Sequence, residues 1–185
     1  MISVLELLAQ LEAYAPSDAS EEASVARMRK LLTRAGDPFT RAVRDHVTAS
    51  AVVARPDGAA FLLVHHRRLG RWLQPGGHGE ADDDSILATA LREAREETGI
   101  SALDTPIGDR ILDLDVHPIP ASSDRPEHVH YDIRFLATTR DDSLAIAAEE
   151  VRAARWFTLE EALSGDADFS LARALRKAAA LLRHP

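Results

Sequence analysis

Residues 92–100 read Arg92-Glu93-Ala94-Arg95-Glu96-Glu97-Thr98-Gly99-Ile100, and upstream of them stands Pro75-Gly76-Gly77. The carboxylates at 93, 96 and 97 are spaced i, i+3 and i+4, which on a helix puts all three on one face about a turn deep. Like charges that close repel, so the cluster needs a positive partner, and a divalent cation with a taste for hard oxygen ligands fits the need. A glutamate-rich helix face that simply meets water is the alternative. Several neighbours favour the cation. Ile86, Leu87, Ala90, Leu91 and Ala94 form an apolar stripe on the other side of the same stretch, so the spacing predicts a packed helix over 84–98. Arg92 can reach Glu96 at i+4, and Gly99 suits a left-handed C-terminal cap. The glycine turn lets a backbone approach a ligand closely.

These residues resemble the Nudix box, G-x5-E-x7-R-E-U-x-E-E-x-G-U with U a bulky aliphatic residue. Arg92, Glu93, Glu96, Glu97, Gly99 and Ile100 match its second half, with the small Ala94 at the first U. In the first half, counting back from Arg92 puts Asp84 where the family has glutamate. His78 falls at the glycine position, so Gly77 serves as the glycine with one extra residue in the loop. The surrounding strand pattern extends the resemblance over residues 46–163. The resemblance implies an α/β fold, an α/β/α sandwich with a mixed β-sheet. It implies a pyrophosphohydrolase that uses Mg²⁺ or Mn²⁺ to cleave a diphosphate linkage in a nucleoside diphosphate derivative. Carried over position by position, Glu93, Glu96 and Glu97 would be metal ligands and Gly76 would offer its carbonyl to a metal. Arg92 would orient a glutamate. The general base varies within the family, between a box glutamate and one in a later loop.

Charge arithmetic agrees with a metal. The 185-residue chain carries 22 Lys+Arg against 30 Asp+Glu, a net charge of −8. A bare acidic cleft would repel a diphosphate, whereas bridging cations invert the local sign and polarise phosphoryl oxygens. The acidic balance argues against extended nucleic-acid partners and leaves a small nucleotide-like molecule open. With no cysteine, disulfides, thiolate metal sites and cysteine nucleophiles are excluded. The start, Met1-Ile2-Ser3-Val4-Leu5-Glu6, has no basic n-region, and no apolar run approaches a membrane span. A cytoplasmic protein without membrane partners is the expectation.

Along the chain, Ile2, Leu5, Leu8 and Leu11 predict a helix over 1–15, and Ser20 is read as the cap of a second helix ending near Ala35. The pair makes an N-terminal helical extension, residues 1–45, that packs on the main domain or on another subunit of a homodimer. Residues 46–185 form the main domain. Strands are expected over 47–54 and 60–65 as a hairpin about Pro56-Asp57-Gly58, then over 111–117, 129–138 and 153–158, with a short helix from Thr158 and an amphipathic helix over 169–183.

Other groups could complete a site. His128, His130, Asp132 and Arg134 alternate with Val129, Tyr131, Ile133 and Phe135, so one face of that strand is polar. Two histidines and an aspartate on one face could bind a metal or face a cleft. Asp132, if it faces the box helix, could join the metal shell or act as base. Glu80 could compensate for the missing box glutamate, and Glu149 and Glu150 stand where resembling enzymes carry a later-loop glutamate. His78 and His130 could contact substrate, and Arg67, Arg68 and Arg71 could hold phosphate oxygens. Two other functions compete: a non-catalytic nucleotide sensor, and an isoprenoid diphosphate isomerase, against which the absence of cysteine weighs.

Overall fold

The computed structural model describes residues 2–34, 36–121, 125–147, 149, 151–165 and 167–183. Two helices come first, α1 (Val4–Ala13) and α2 (Ala19–Leu32). Seven strands follow: β1 (Asp45–Ala54), β2 (Phe61–His66), β3 (Trp72–Leu73), β4 (Gly76–His78), β5 (Asp113–Ile119), β6 (His128–Thr138) and β7 (Val151–Phe157). Helix α3 (Ile86–Thr98) lies between β4 and β5, and α4 (Leu159–Ser164) and α5 (Phe169–Arg183) close the order.

All seven strands join one mixed sheet, with β1 parallel to β6 and the remaining pairs antiparallel. One edge of β1 is shared. Its C-terminal end pairs with β2 (Val53 with Leu62), and its middle pairs with β4 (Ala49 with Gly77). The chain from β3 to β4 therefore leaves β2 and joins β1 where those two strands separate, and α3 packs across β1, β4 and β6 on one face of the sheet.

The faces follow period two. Val47, Ala49, Ala51 and Val53 share a core with Tyr131, Ile133 and Phe135 of β6 and with Ile86, Ala90 and Ala94 of α3. Val52, Ala54, Phe61, Leu63 and Leu136 point the other way, under Leu171, Ala174, Leu175 and Ala178 of α5. Helices thus cover both faces, the α/β/α sandwich expected from the sequence. A strand buried on both sides must be apolar throughout its covered length, and small residues let the helices approach. Ala49, Ala51 and Ala54 of β1 and Ala90 and Ala94 of α3 are all fully buried. The small residue at position 94 is therefore a packing choice.

The helical pair places Leu7, Leu11, Val25, Met28 and Leu31 in the same core as α3. Leu5, expected on the same face, is instead 78% exposed. A polar clasp adds to the packing of the pair. Glu21, fully buried, accepts from Lys177 of α5, Tyr14 and Ser17, and from the backbone N–H of Leu114 at 3.3 Å. Burial alone would raise the Glu21 carboxyl, but the Lys177 ammonium and the Ser17 and Tyr14 donors overcome it and hold the group down at about 2.

Element limits moved slightly. The second helix is capped by Asp18, whose Oδ1 accepts from Glu21 N at 2.8 Å, two residues before the expected Ser20. It ends at Leu32, and Ala35 lies outside the described residues. The short strands β3 and β4 were not expected, because two or three residues carry no readable period. Among the described residues no helix is long and apolar enough to cross a membrane.

Candidate active site

Helix α3 begins at Ser85, whose Oγ accepts from Ala88 N at 3.1 Å, and ends at Gly99 in the left-handed conformation (φ +75°). With its apolar stripe fixed on β1, the helix turns its carboxylates toward β4. Glu93 and Glu97 are buried, at 8% and 3% exposure, while the Glu96 side chain is 54% exposed. The backbone N–H of Gly76 donates to Glu97 Oε2 at 3.1 Å. Gly77 sits directly against Glu93: a Cβ there would lie 2.5 Å from its Cδ and Oε1. The sequence needs glycine at 77 because the carboxylate fills the space of a side chain.

Arg92 gathers the surroundings. Its Nη1 donates to Glu96 Oε2 at 2.9 Å and Glu93 Oε1 at 3.2 Å, and its Nη2 donates to the carbonyl of His78 at 2.7 Å. Its Nε and Nη2 take both oxygens of Asp83, at 3.1 and 3.0 Å. Burial works against this charge, but Asp83, Glu93 and Glu96 outweigh it and hold the guanidinium protonated. Asp83 also accepts from Glu80 N (2.9 Å) and Thr89 Oγ1 (2.8 Å); burial raises its carboxyl, but Arg92 first, and then these two donors, hold it below the usual range.

Asp83, not Asp84, thus occupies the inward place. Asp84 is exposed. Counting back from Arg92 lands on Asp84, whereas counting forward from Gly77 by the family spacing lands on Asp83. The extra residue follows the carboxylate instead of preceding it. The Glu80 side chain is 66% exposed, with Oε1 3.9 Å from Arg92 Nη1.

Asp132 does not face the box helix. Tyr131 and Ile133 do, and period two sends Asp132 to the opposite face of the sheet. There it accepts from Thr48 Oγ1 (3.1 Å), Ser50 Oγ (2.7 Å), Gln74 Nε2 (3.2 Å) and Arg134 Nε (3.1 Å), fully enclosed. Arg134 continues to Asp113 and Ser170, and Arg173 of α5 clamps Asp113 with two bonds of 2.7 and 2.9 Å. The Asp132 oxygens are taken up in joining β1, β6 and residue 74.

On this same face, beyond Asp132, His46, His78, His128 and His130 come together. His46 Nε2 and His78 Nε2 are 3.0 Å apart, and His128 Nε2 and His130 Nε2 are 3.2 Å apart. Burial first, then Arg41, Arg125 and the other imidazoles, pushes His78 down to about 3. Burial and the neighbouring histidines push His130 down to about 2. His46 is lowered by the same causes. Nothing in the sequence flagged His46, although it lies two residues before Thr48 and four before Ser50 on the polar side of β1.

The remaining candidates lie elsewhere. Arg67 is exposed in the turn after β2, and Arg71 donates to Asp168 Oδ2 at 3.3 Å near the start of α5. Glu149 is exposed before β7, and Glu150 lies outside the described residues.

Comparison with known proteins bears on this geometry. A NUDIX domain family model matches residues 44–178. Phosphatase NudJ of Escherichia coli K12 is 46% identical over 61 residues, which is 32% of this chain and 38% of that protein. The match therefore spans well under half the length of these curated relatives. Among solved structures, an Ap4A hydrolase binary complex of C. elegans aligns with TM-score 0.57 at 23% identity, covering 74% of this chain and 96% of that one. The NUDIX domain of Shewanella oneidensis NrtR complexed with ADP ribose aligns with TM-score 0.57 at 21% identity, covering 80% and 94%. At these identities the structures speak to the fold.

Proposed function

The chain belongs to the NUDIX domain family, and from that premise we propose that it hydrolyses a diphosphate linkage in a nucleoside diphosphate derivative with the help of Mg²⁺ or Mn²⁺. The observation that carries this reading is the juxtaposition of Glu93 and Glu97 with the Gly76-Gly77 backbone. Hard carboxylate oxygens fit a hard cation, and the close approach at Gly77 gives the cradle its shape. Glu93, Glu96 and Glu97, with the Gly76 carbonyl, would hold the ion, which when bound supplies charge neutralisation and an activated water.

The chain's own residues do the positioning. Arg92, fixed by Asp83 and the His78 carbonyl, sets Glu93 and Glu96 relative to one another. Gly76 N–H fixes Glu97. Of the three box glutamates Glu96 is the one open to solvent, and we assign it the contact with the attacking water. Positioning and electrostatic stabilisation account for most of phosphoryl-transfer catalysis. Asp132 has the role of a strut between strands in this reading. The substrate class stays that of nucleoside diphosphate derivatives, and because one similar structure is complexed with ADP ribose, ADP-ribose-like molecules come first in the test.

The test is a panel of ADP-ribose, dinucleoside polyphosphates, nucleotide sugars and nucleoside triphosphates, assayed with Mg²⁺ and with Mn²⁺ for release of nucleoside monophosphate or phosphate. Turnover of at least one member is expected, with a loss of about a hundredfold or more in Glu97→Gln. Tight binding of one member without turnover would replace this reading with that of a nucleotide sensor.

A further inference from the structure

Of the eight histidines in the chain, five meet at one end of the sheet. Strand register brings them there: His117 lies opposite His130 across β5 and β6, His130 opposite His46 across β6 and β1, and His78 opposite Thr48 across β4 and β1. His46 and Thr48 share a face by period two, so the rings form one cluster. Ring centroids of His46, His78 and His130 stand 4.9 to 5.0 Å apart, and His128 stacks on His46 at 5.5 Å.

We propose that His46, His78 and His130 form a second metal site, one for a nitrogen-preferring ion of the Zn²⁺ class, separate from the carboxylates of α3. Each residue offers one ring nitrogen, and the three nitrogens all lie within 4.8 Å of one another. In a tetrahedral zinc site with bonds of ~2.0–2.1 Å, ligand nitrogens sit roughly 3.4 Å apart. Separations of up to 4.8 Å must close toward that spacing when the ion binds. Hard ions that favour oxygen gain little from an all-imidazole set, whereas Zn²⁺, Co²⁺ and Ni²⁺ suit it.

The tautomers of His46 and His130 suit this role, while His78, whose Nε2–H donates to His46 Nε2, must give up that proton to bind an ion. The Nδ1 of His46 is 3.1 Å from the carbonyl of Val43, so its proton sits there and its Nε2 lone pair points into the cluster. The Nδ1 of His128 is 2.9 Å from the carbonyl of Pro126, and its Nε2 in turn faces His130. Carbonyl and histidine partners of this kind fix ring orientation and raise ligand basicity. His46 and His128 are buried and rigidly backed, while His78 and His130 are only partly covered and leave an approach. Three ligands leave a fourth position for water or an anion. Arg41 and Arg125, whose charges act on His46 and His78, oppose the cation and favour an anion in that position. The α3 glutamates lie on the opposite face of the sheet: Gly77 meets Glu93, and its neighbour His78 meets His46.

The experiment is a Co²⁺ titration of the full chain, stripped with chelator and held in millimolar Mg²⁺ to occupy the carboxylates. Intense visible bands of tetrahedral Co²⁺ should saturate at one equivalent per chain and bleach on adding Zn²⁺. His78→Gln and His130→Gln, at partly exposed positions and checked for folding by circular dichroism, should each weaken Co²⁺ binding by about a hundredfold. A Glu93→Gln/Glu97→Gln double variant should keep the bands. Absence of intense bands in the unaltered chain overturns the proposal. So do bands that persist in both folded histidine variants, or bands that vanish with the glutamates.

Discussion

Gly77→Ala isolates the position of one carboxylate from its chemistry. The added methyl would stand 2.5 Å from Glu93 Cδ and Oε1 and 2.7 Å from Oε2, against ordinary contact at 3.4 Å or more. The carboxylate must retreat by about 0.9 Å, the difference of those two distances. Gly77 has no positive φ, so the backbone itself accepts alanine. The colliding atoms are the end of a flexible side chain, so folding should lose only ~1 kcal/mol, a shift of about 2–4 °C in Tm. Catalysis should lose far more, because a 1 Å misplacement of a reacting or coordinating group costs about a hundredfold. The assay compares kcat for the best substrate of the panel across a Mg²⁺ series, with thermal melts alongside. Gly79→Ala is the control, since the atoms nearest its Cβ would be Ile2 Cδ1 at 3.0 Å, the end of a flexible side chain, and Thr89 Oγ1 and Phe39 O at 3.8–3.9 Å. Activity of Gly77→Ala within threefold of the unaltered protein would refute the idea that Glu93 acts from its observed place.

Neighbouring aspartates should part company. Asp83→Asn breaks a paired, buried carboxylate and should cost about 3 kcal/mol by denaturant unfolding, whereas Asp84→Asn, on an exposed side chain, should stay within about 1 kcal/mol. Equal effects would return the inward role to Asp84. Acid stability should report on Glu21. Its folded pKa, about 2, lies below the ordinary value of 4.5, so its stabilisation is complete above that value and is lost as pH falls toward 2. The contribution at neutral pH is on the order of 3 kcal/mol. Melts from pH 5 to pH 2 should show a drop that is blunted in Glu21→Gln, and an unchanged slope in that variant would exclude the residue.

Much of the fold was legible where a period ran long enough to repeat. The alternation from His128 to Phe135 and the stripe of α3 each fixed a face, and the C-terminal helix took the expected limits of residues 169–183. The box glutamates and Arg92 were legible for the same reason, since i+3 and i+4 neighbours are set by one helix. What stayed hidden depends on register between distant strands. His46 meets His130 only because β1 and β6 run parallel with those residues opposed. That Asp132 points away from α3 could not be chosen from alternation, which gives two faces without saying which one α3 covers. Asp83 was missed for a local reason, because the extra residue could be charged to either side of it.

The clasp at Glu21 has a consequence for how the chain comes together. Lys177 is 156 residues away in sequence, and contacts that distant are made late, after the loop between them has been closed. During synthesis α1 and α2 emerge before α5, with an acidic group destined for burial and its Lys177 partner not yet made. The clasp of the helical pair therefore closes only once α5 is present. Docking of the first helices and arrival of the last become a single cooperative event.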